Sequence, residues 1–261
     1  MSPALPPLDL HAHVKTSIPA RDLERLGAVV FAATRSIDEF SSTQRRRDAV
    51  TVWGIGCHPG VQAAQRDFDP ERFASLARTT PYVSEVGLDR RSRVPMATQL
   101  GTFRAILQVL SVSPRIASIH SSGAHAQVLD ALSDTPIRGA ILHWWRGNRE
   151  ETARAVSLGC WFSVNAANLK FPESVAMIPF DRILTETDHP SGDRDSAEPR
   201  QPGAVNAIEA SLARVYGVSV PRIRRQIWHN FACVVDEVEV SRLLPTPVQR
   251  MLTFARDEDG G

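Results

Sequence analysis

The sequence predicts an α/β fold, a (β/α)8 TIM barrel with extra C-terminal helices. Short apolar runs rich in β-branched residues recur eight times along the chain. Stretches of helical period separate them, the pattern of βαβ units on a parallel sheet. The chain has 261 residues, close to the roughly 250 residues usual for such a barrel. No linker, repeat or low-complexity tract divides it, so residues 1–261 are expected to form one domain.

The elements follow in order. Pro6 and Pro7 punctuate the entry to the first strand, 8–11. The second and third strands are expected at 28–32 and 50–56, with the charge run 45–47 read as the solvated face of a helix between them. The fourth strand, 82–86, leads into a helix at 96–112. The fifth, 117–120, leads into a helix at 124–133, which Pro136 separates from the sixth strand, 140–143. A helix at 149–157 joins this to the seventh strand, 160–164, and the eighth spans 182–186. The polar stretch 191–202 reads as a loop around Gly192 and Pro199. Helical patterns at 203–216, 220–237 and 240–256 complete the outer ring.

Composition excludes several classes. The apolar fraction of 43% and the charged fraction of 23% are ordinary for a soluble globular chain, so the core needs no covalent staple. Cys57, Cys160 and Cys233 are odd in number and far apart, which argues against a disulfide framework and for a reducing cytoplasm. The N-terminus lacks the basic and apolar regions of a signal peptide, and no apolar run reaches the roughly 20 residues that span a bilayer. A formal net charge of +1 gives no global field to gather nucleic acid. A phosphate-bearing substrate must then be gripped locally. Lysine occurs only at Lys15 and Lys170; the predominance of arginine is read as coding bias rather than phosphate recognition.

Catalytic groups of a parallel barrel project from the C-terminal ends of its strands. Polar residues fall there consistently. The first strand ends in Asp9-Leu10-His11-Ala12-His13, the fourth holds Glu85, the fifth ends in His120, the sixth in His143, and the eighth runs into Glu186-Thr187-Asp188. Side chains alternate along a strand, so His11 and His13 share a side and both reach one metal. Imidazole and carboxylate donors without a nearby thiolate suit zinc, manganese or another borderline divalent ion. A catalytic zinc usually takes three protein ligands plus water. Four histidines and two carboxylates exceed that, and two ions about 3.5–4 Å apart would use them all. Neither lysine stands where a carbamylated bridge would, which leaves Glu85 as the bridging group. Asp188 is expected to accept the proton of the attacking water.

These stretches resemble the TatD-type DNases, a branch of the amidohydrolase-like barrels. The matching motifs are DLHAH at 9–13, GIGCHPG at 54–60, SEVGLD at 84–89, SIH at 118–120, ILHWWRG at 141–147 and TETDHP at 185–190, with Asn230-Phe231 resembling the family's late ending. The resemblance implies a metal-dependent nuclease or phosphodiesterase, acting on DNA. It implies that His11, His13 and Asp188 hold one divalent ion (Mg, Mn or Zn), that His120 and His143 hold a second, and that Glu85 joins them. The segments LHWW and LGCWFSV at 158–164 are similar to the QatD type of anti-phage defence protein, which implies partners encoded in a defence operon.

The departures from the family lie in substrate loops. Arg90 and Arg91 replace an aromatic pair, His120 is followed by Ser121-Ser122 where the family has an arginine, and Trp144-Trp145-Arg146 follows His143. From these we expect single-stranded DNA or DNA ends to meet His58, Arg90, Arg91, Trp145 and Arg146. Trp145 is assigned to stack on a base, with Trp144 in the core. A plain loop position remains open for His58. His125 is expected on the surface of its helix, His189 either in the site or beside it, His229 in packing, and Cys57 as a small buried residue. An amidohydrolase or deacylase on the same metal site, or a defence-complex subunit that mainly binds partners, are the rival functions.

Overall fold

The computed structural model describes residues 5–194 and 196–257. Eight strands run parallel in sequence order: β1 (Leu8–Ala12), β2 (Val29–Ala33), β3 (Thr51–Gly56), β4 (Tyr82–Gly87), β5 (Ile116–His120), β6 (Ala140–Leu142), β7 (Trp161–Val164) and β8 (Ile183–Thr185). Every residue of β1 to β4 is buried. Such two-faced burial is why these runs read as continuously apolar rather than alternating. Helices fill the connections, including Met96–Val112, His125–Asp134 and Arg149–Ser157.

The sheet curls into a nearly closed barrel. The segment that follows β8 closes on the end of β1 through backbone bonds from Asp188 to the His11 carbonyl at 2.8 Å and from His13 to the His189 carbonyl at 2.9 Å. Inside, Tyr82 packs edge-on against Phe31 and donates its hydroxyl to the Leu10 carbonyl at 3.1 Å. Gly54 makes room for that ring, since a Cβ there would lie 2.3 Å from Tyr82 Cδ1. The long helix Val220–Val238 closes one side with Ile227, Trp228 and Phe231 fully buried. Its Asn230 amide donates to the carbonyls of Phe180 and Ile183 at 3.0 and 2.8 Å, so the late Asn-Phe pair anchors the entry to β8.

Three sequence expectations are corrected. Residues 45–47 lie in a turn and an irregular stretch that follow the short helix Ile37–Ser41. Arg46 is no solvated face there: it pairs with Asp48, donates to the carbonyls of Thr16 and Ile18, and stacks on Trp53. The last helical stretch is split into a 3-10 turn, Ser241–Leu243, and a helix, Thr246–Asp257, because Pro245 cannot continue a helix. The helix expected from 203 begins at Asn206, because Gly203 holds a φ of 81°, outside the right-handed helical region; its amide donates to the Asp9 carboxylate at 2.7 Å.

Candidate metal centre

Asp9 sets the geometry of the first pair of histidines. Its buried carboxylate accepts from the amides of His11, Thr187 and Gly203 and from the Thr187 hydroxyl. Burial still pushes its pKa up to about 7, against those bonds. Ladder pairing slips between Asp9 and Ala12, as expected of a bulge, a device that re-aims side chains near functional sites. His11 Nδ1 sits 2.7 Å from Ser118 Oγ, and its Nε2 lies 3.8 Å from Asp188 Oδ1. His13 Nδ1 faces the Ala33 carbonyl at 3.2 Å. A carbonyl only accepts, so Nδ1 carries a proton and Nε2 is the nitrogen turned into the site.

Glu85 occupies the centre. A second slip in register, between Val83 and Val86, surrounds it. Its φ of 39°, like the 43° of Trp144 and of Asp188, lies in the left-handed region. Non-glycine residues pay about 1–3 kcal/mol for such backbone, and they concentrate at functional sites. Glu85 Oε2 lies 2.8 Å from His13 Nε2, while Oε1 lies 3.0 Å from His58 Nε2 and 3.5 Å from His120 Nδ1. Burial alone would raise its pKa, but His13, His58 and His120 overcome this and hold it well below the usual carboxylate range.

The other side is built from β5, β6 and β8. His120 Nδ1 stands 3.1 Å from His143 Nε2, and its Nε2 3.5 Å from Asp89 Oδ2. Burial opposes the charged ring, yet Asp89 and Glu85 push its pKa up to about 9. His143 stacks flat on His11 with ring centres 4.3 Å apart. Its Nδ1 faces Glu186 Oε1 at 3.7 Å. Glu186 is itself fully buried and accepts from the Trp144 amide, Ser163 Oγ and Asn165 Nδ2. Burial, then Glu85 and Glu186, drive the Asp188 carboxyl well above its ordinary pKa.

These residues fit a divalent cation. Carboxylates crowded by like charge in a dry site ionise together only beside a positive charge. Buried His11 Nε2 and His143 Nδ1 lack a hydrogen-bond partner, and buried polar atoms are seldom left so. The donor atoms gather as His11, His13 and Asp188, as His11, Glu85 and His143, and as His58, Glu85 and His120. The structure therefore brings all six expected ligands around one centre. It also adds His58 beside Glu85 and His120, and it groups His143 with His11 and Glu85, where His143 was expected to share an ion with His120.

A cavity of about 370 Å³ opens beside His120 and His143, walled by Arg91, His125, Trp144 and Arg146. The expectation for Trp145 is corrected. That indole is buried at 3% exposure, donates to Thr152 Oγ1 at 2.9 Å and packs on Phe162, so it is core. Trp144 lines the cavity and Trp145 is the buried one because the positive φ at Trp144 turns the chain out of the strand, so simple alternation no longer applies. His125 is corrected too: it lines the cavity 3.6 Å from Glu151, packed on Trp145. Arg90 lines a separate groove with Ser92 and Arg93. His189 bonds Asp193 at 2.6 Å. Cys57 is buried, and burial pushes its thiol up to about 12, so it is inert as a nucleophile. Sequence reasoning missed Asp9, Asp89, Ser118 and Glu186 as supports, although Asp9, Asp89 and Glu186 stand inside the motifs that flagged the ligands.

The sequence model of the TatD related DNase family matches residues 8–236. The 3′-5′ ssDNA/RNA exonuclease TatD of Cronobacter sakazakii is 31% identical over 146 residues, 52% of this chain and 56% of that protein. The enzyme of the same name from Erwinia billingiae is 29% identical over 179 residues, 63% of this chain and 67% of that protein. The chain spans about half the length of the first curated relatives it matches, 52% and 56%. In fold it is similar to YJJV, a TatD homologue of Escherichia coli K12, with a TM-score of 0.74 at 18% identity over 87% of this chain and 96% of that one. A TatD family hydrolase of Entamoeba histolytica superposes with a TM-score of 0.75 at 15% identity over 89% and 99%.

Proposed function

Because the chain belongs to the TatD related DNase family, we propose that it is a divalent-metal-dependent nuclease that hydrolyses phosphodiester bonds at single-stranded DNA or DNA ends. Residues 1–261 act as one catalytic domain in this reading. The observation that carries it is the position of Glu85, whose two oxygens lie within 3.5 Å of ring nitrogens on His13, His58 and His120. One carboxylate thereby joins two groups of donors, as a two-ion centre requires.

His11, His13 and Asp188 would hold one ion; Glu85 with His58 and His120 would hold the other, with His143 beside both. Divalent ions there supply Lewis acidity toward a phosphoryl oxygen and lower the pKa of water. The chain's own residues do the rest. Ser118 and the Ala33 carbonyl orient His11 and His13, as supporting partners do for liganding imidazoles. Asp188 accepts the proton of the attacking water. Arg91 and Arg146, at the cavity wall, hold phosphate oxygens.

The test is metal content together with cleavage of end-labelled single-stranded DNA by apo protein given Mg²⁺, Mn²⁺ or Zn²⁺. Cleavage that requires the ion supports the proposal. No DNA cleavage with any ion removes it, and hydrolysis of small amides or esters instead selects the deacylase reading. The likeness of 142–145 and 158–164 to the QatD type supports a setting in anti-phage defence beside operon-encoded partners. Phage plating with Asp188→Asn tests this: retained protection would assign the protein a binding role.

A further inference from the structure

Phe171 is one of four large apolar side chains left exposed among the described residues, at 40%. It caps the 3-10 turn Asn168–Lys170 after β7, so it sits on the same end of the barrel as the metal centre. The Arg146 guanidinium lies over its ring, 4.8 Å from the centroid. The ring, Arg146, Asn168 and Ser174 line a second cavity of about 200 Å³. Arg146 also walls the 370 Å³ cavity that contains His120 and His143. Arg146 thus lines both cavities, and only one of these two touches the candidate metal ligands.

The chemistry of the pair is specific. A stacked guanidinium keeps its N–H donors at the edge of its plane, free to meet a phosphate. No carboxylate pairs with Arg146 among the described residues, so its charge is unspent. An exposed aromatic ring beside it offers the π-face that any base accepts. The smaller cavity falls below the roughly 300 Å³ at which pockets for whole small molecules begin; it is on the scale of one base.

We propose that Arg146 and Phe171 form a stacking station for the nucleotide next to the one being cleaved, with the base on Phe171 and the connecting phosphate on Arg146. The inference rests on the nuclease reading and deepens it, since it makes the substrate a single strand at least two nucleotides long whose bases are unpaired. A duplex cannot lay a base on Phe171 without unpairing it.

The experiment compares wild type, Phe171→Ala, Phe171→Trp and Arg146→Met. Binding of a labelled single-stranded 12-mer to EDTA-treated protein is read by fluorescence anisotropy, and cleavage of the 12-mer and of a small chromogenic phosphodiester is read with metal restored. Phe171→Ala should weaken binding of the 12-mer by about fivefold or more, leave the small diester unchanged, and be rescued by Phe171→Trp. Arg146→Met should flatten the slope of log affinity against log salt by about 0.7, the share of one phosphate on a single strand. If wild type cuts the 12-mer and Phe171→Ala binds and cuts it equally, the station is overturned while the nuclease reading stands. The station is also overturned if Phe171→Ala loses small-diester cleavage in equal measure. If wild type cuts no nucleic acid with any ion, the nuclease reading fails and takes the station with it.

Discussion

The Glu85 carboxylate meets the His58 imidazole at 3.0 Å through the oxygen it does not share with His13. His58 comes from the loop after β3 and Glu85 from a slipped segment of β4. Two adjacent strand ends therefore converge on one carboxylate, which then faces histidines on both sides.

Glu85→Ala should remove the shared donor and abolish cleavage. We expect metal content to fall by at least one ion and hydrolysis to drop by more than about 100-fold, beyond the range seen when a supporting residue alone is lost. Metal analysis by mass spectrometry and a single-turnover assay measure both. Full activity in this variant would sink the bridging role.

Glu186 acts through other residues. It faces His143 Nδ1 at 3.7 Å and holds the Trp144 amide at 2.9 Å, where the backbone is strained. Glu186→Ala should weaken metal affinity or activity by about 10–100-fold. Glu186→Gln keeps an oxygen for the Trp144 amide and should recover part of it. A purely structural role predicts that affinity and activity track thermal stability across the two variants; a positioning role predicts that metal affinity falls further than stability does.

The barrel was legible because each strand is a short apolar run between polar punctuation, and burial on both faces leaves that pattern undisturbed. The cluster of candidate ligands was legible because catalytic groups of such barrels sit where apolar runs stop. Trp145 and His125 were not. The local turn at Trp144 has a positive φ that nothing in Trp144-Trp145 announces, and alternation was carried one residue too far. His125 is drawn inward by Trp145 and Glu151, both distant in sequence. Arg46 misled for the same reason, since Asp48, Trp53 and two carbonyls from 16 and 18 assemble its niche only in three dimensions.

Metal should stabilise the fold. The donor groups exist as clusters only in the native chain, so an ion that binds them shifts the unfolding equilibrium toward it. At about 100 times its dissociation constant a single ion adds roughly 2.7 kcal/mol. Differential scanning fluorimetry of EDTA-treated protein should show Tm rising with Mn²⁺ or Zn²⁺, and His13→Ala should blunt that rise. An unchanged Tm in wild type across a wide range of ion concentrations would argue against a bound cation.

Far from the site, Arg224 should prove indispensable to stability in a pH-dependent way. Glu209 is completely buried, and Arg224 meets both of its oxygens while also donating to the Leu5 carbonyl at 2.9 Å and to Asn206 Oδ1 at 2.8 Å. Burial raises the Glu209 pKa, and the guanidinium works against that rise. Arg224→Ala leaves a buried charge uncompensated, which costs about 3–5 kcal/mol near neutral pH. Without Arg224 the folded-state pKa climbs further above the unfolded one. A carboxyl raised in this way contributes stability below its unfolded pKa and loses it as pH rises through the folded value. The penalty of Arg224→Ala should therefore be largest at pH 7 and shrink on acidification below the ordinary glutamate pKa. Urea denaturation of wild type and variant at pH 7 and about pH 4 measures it. An equal penalty at both values would mean that lost packing of the arginine stem, and no stranded carboxylate, sets the cost.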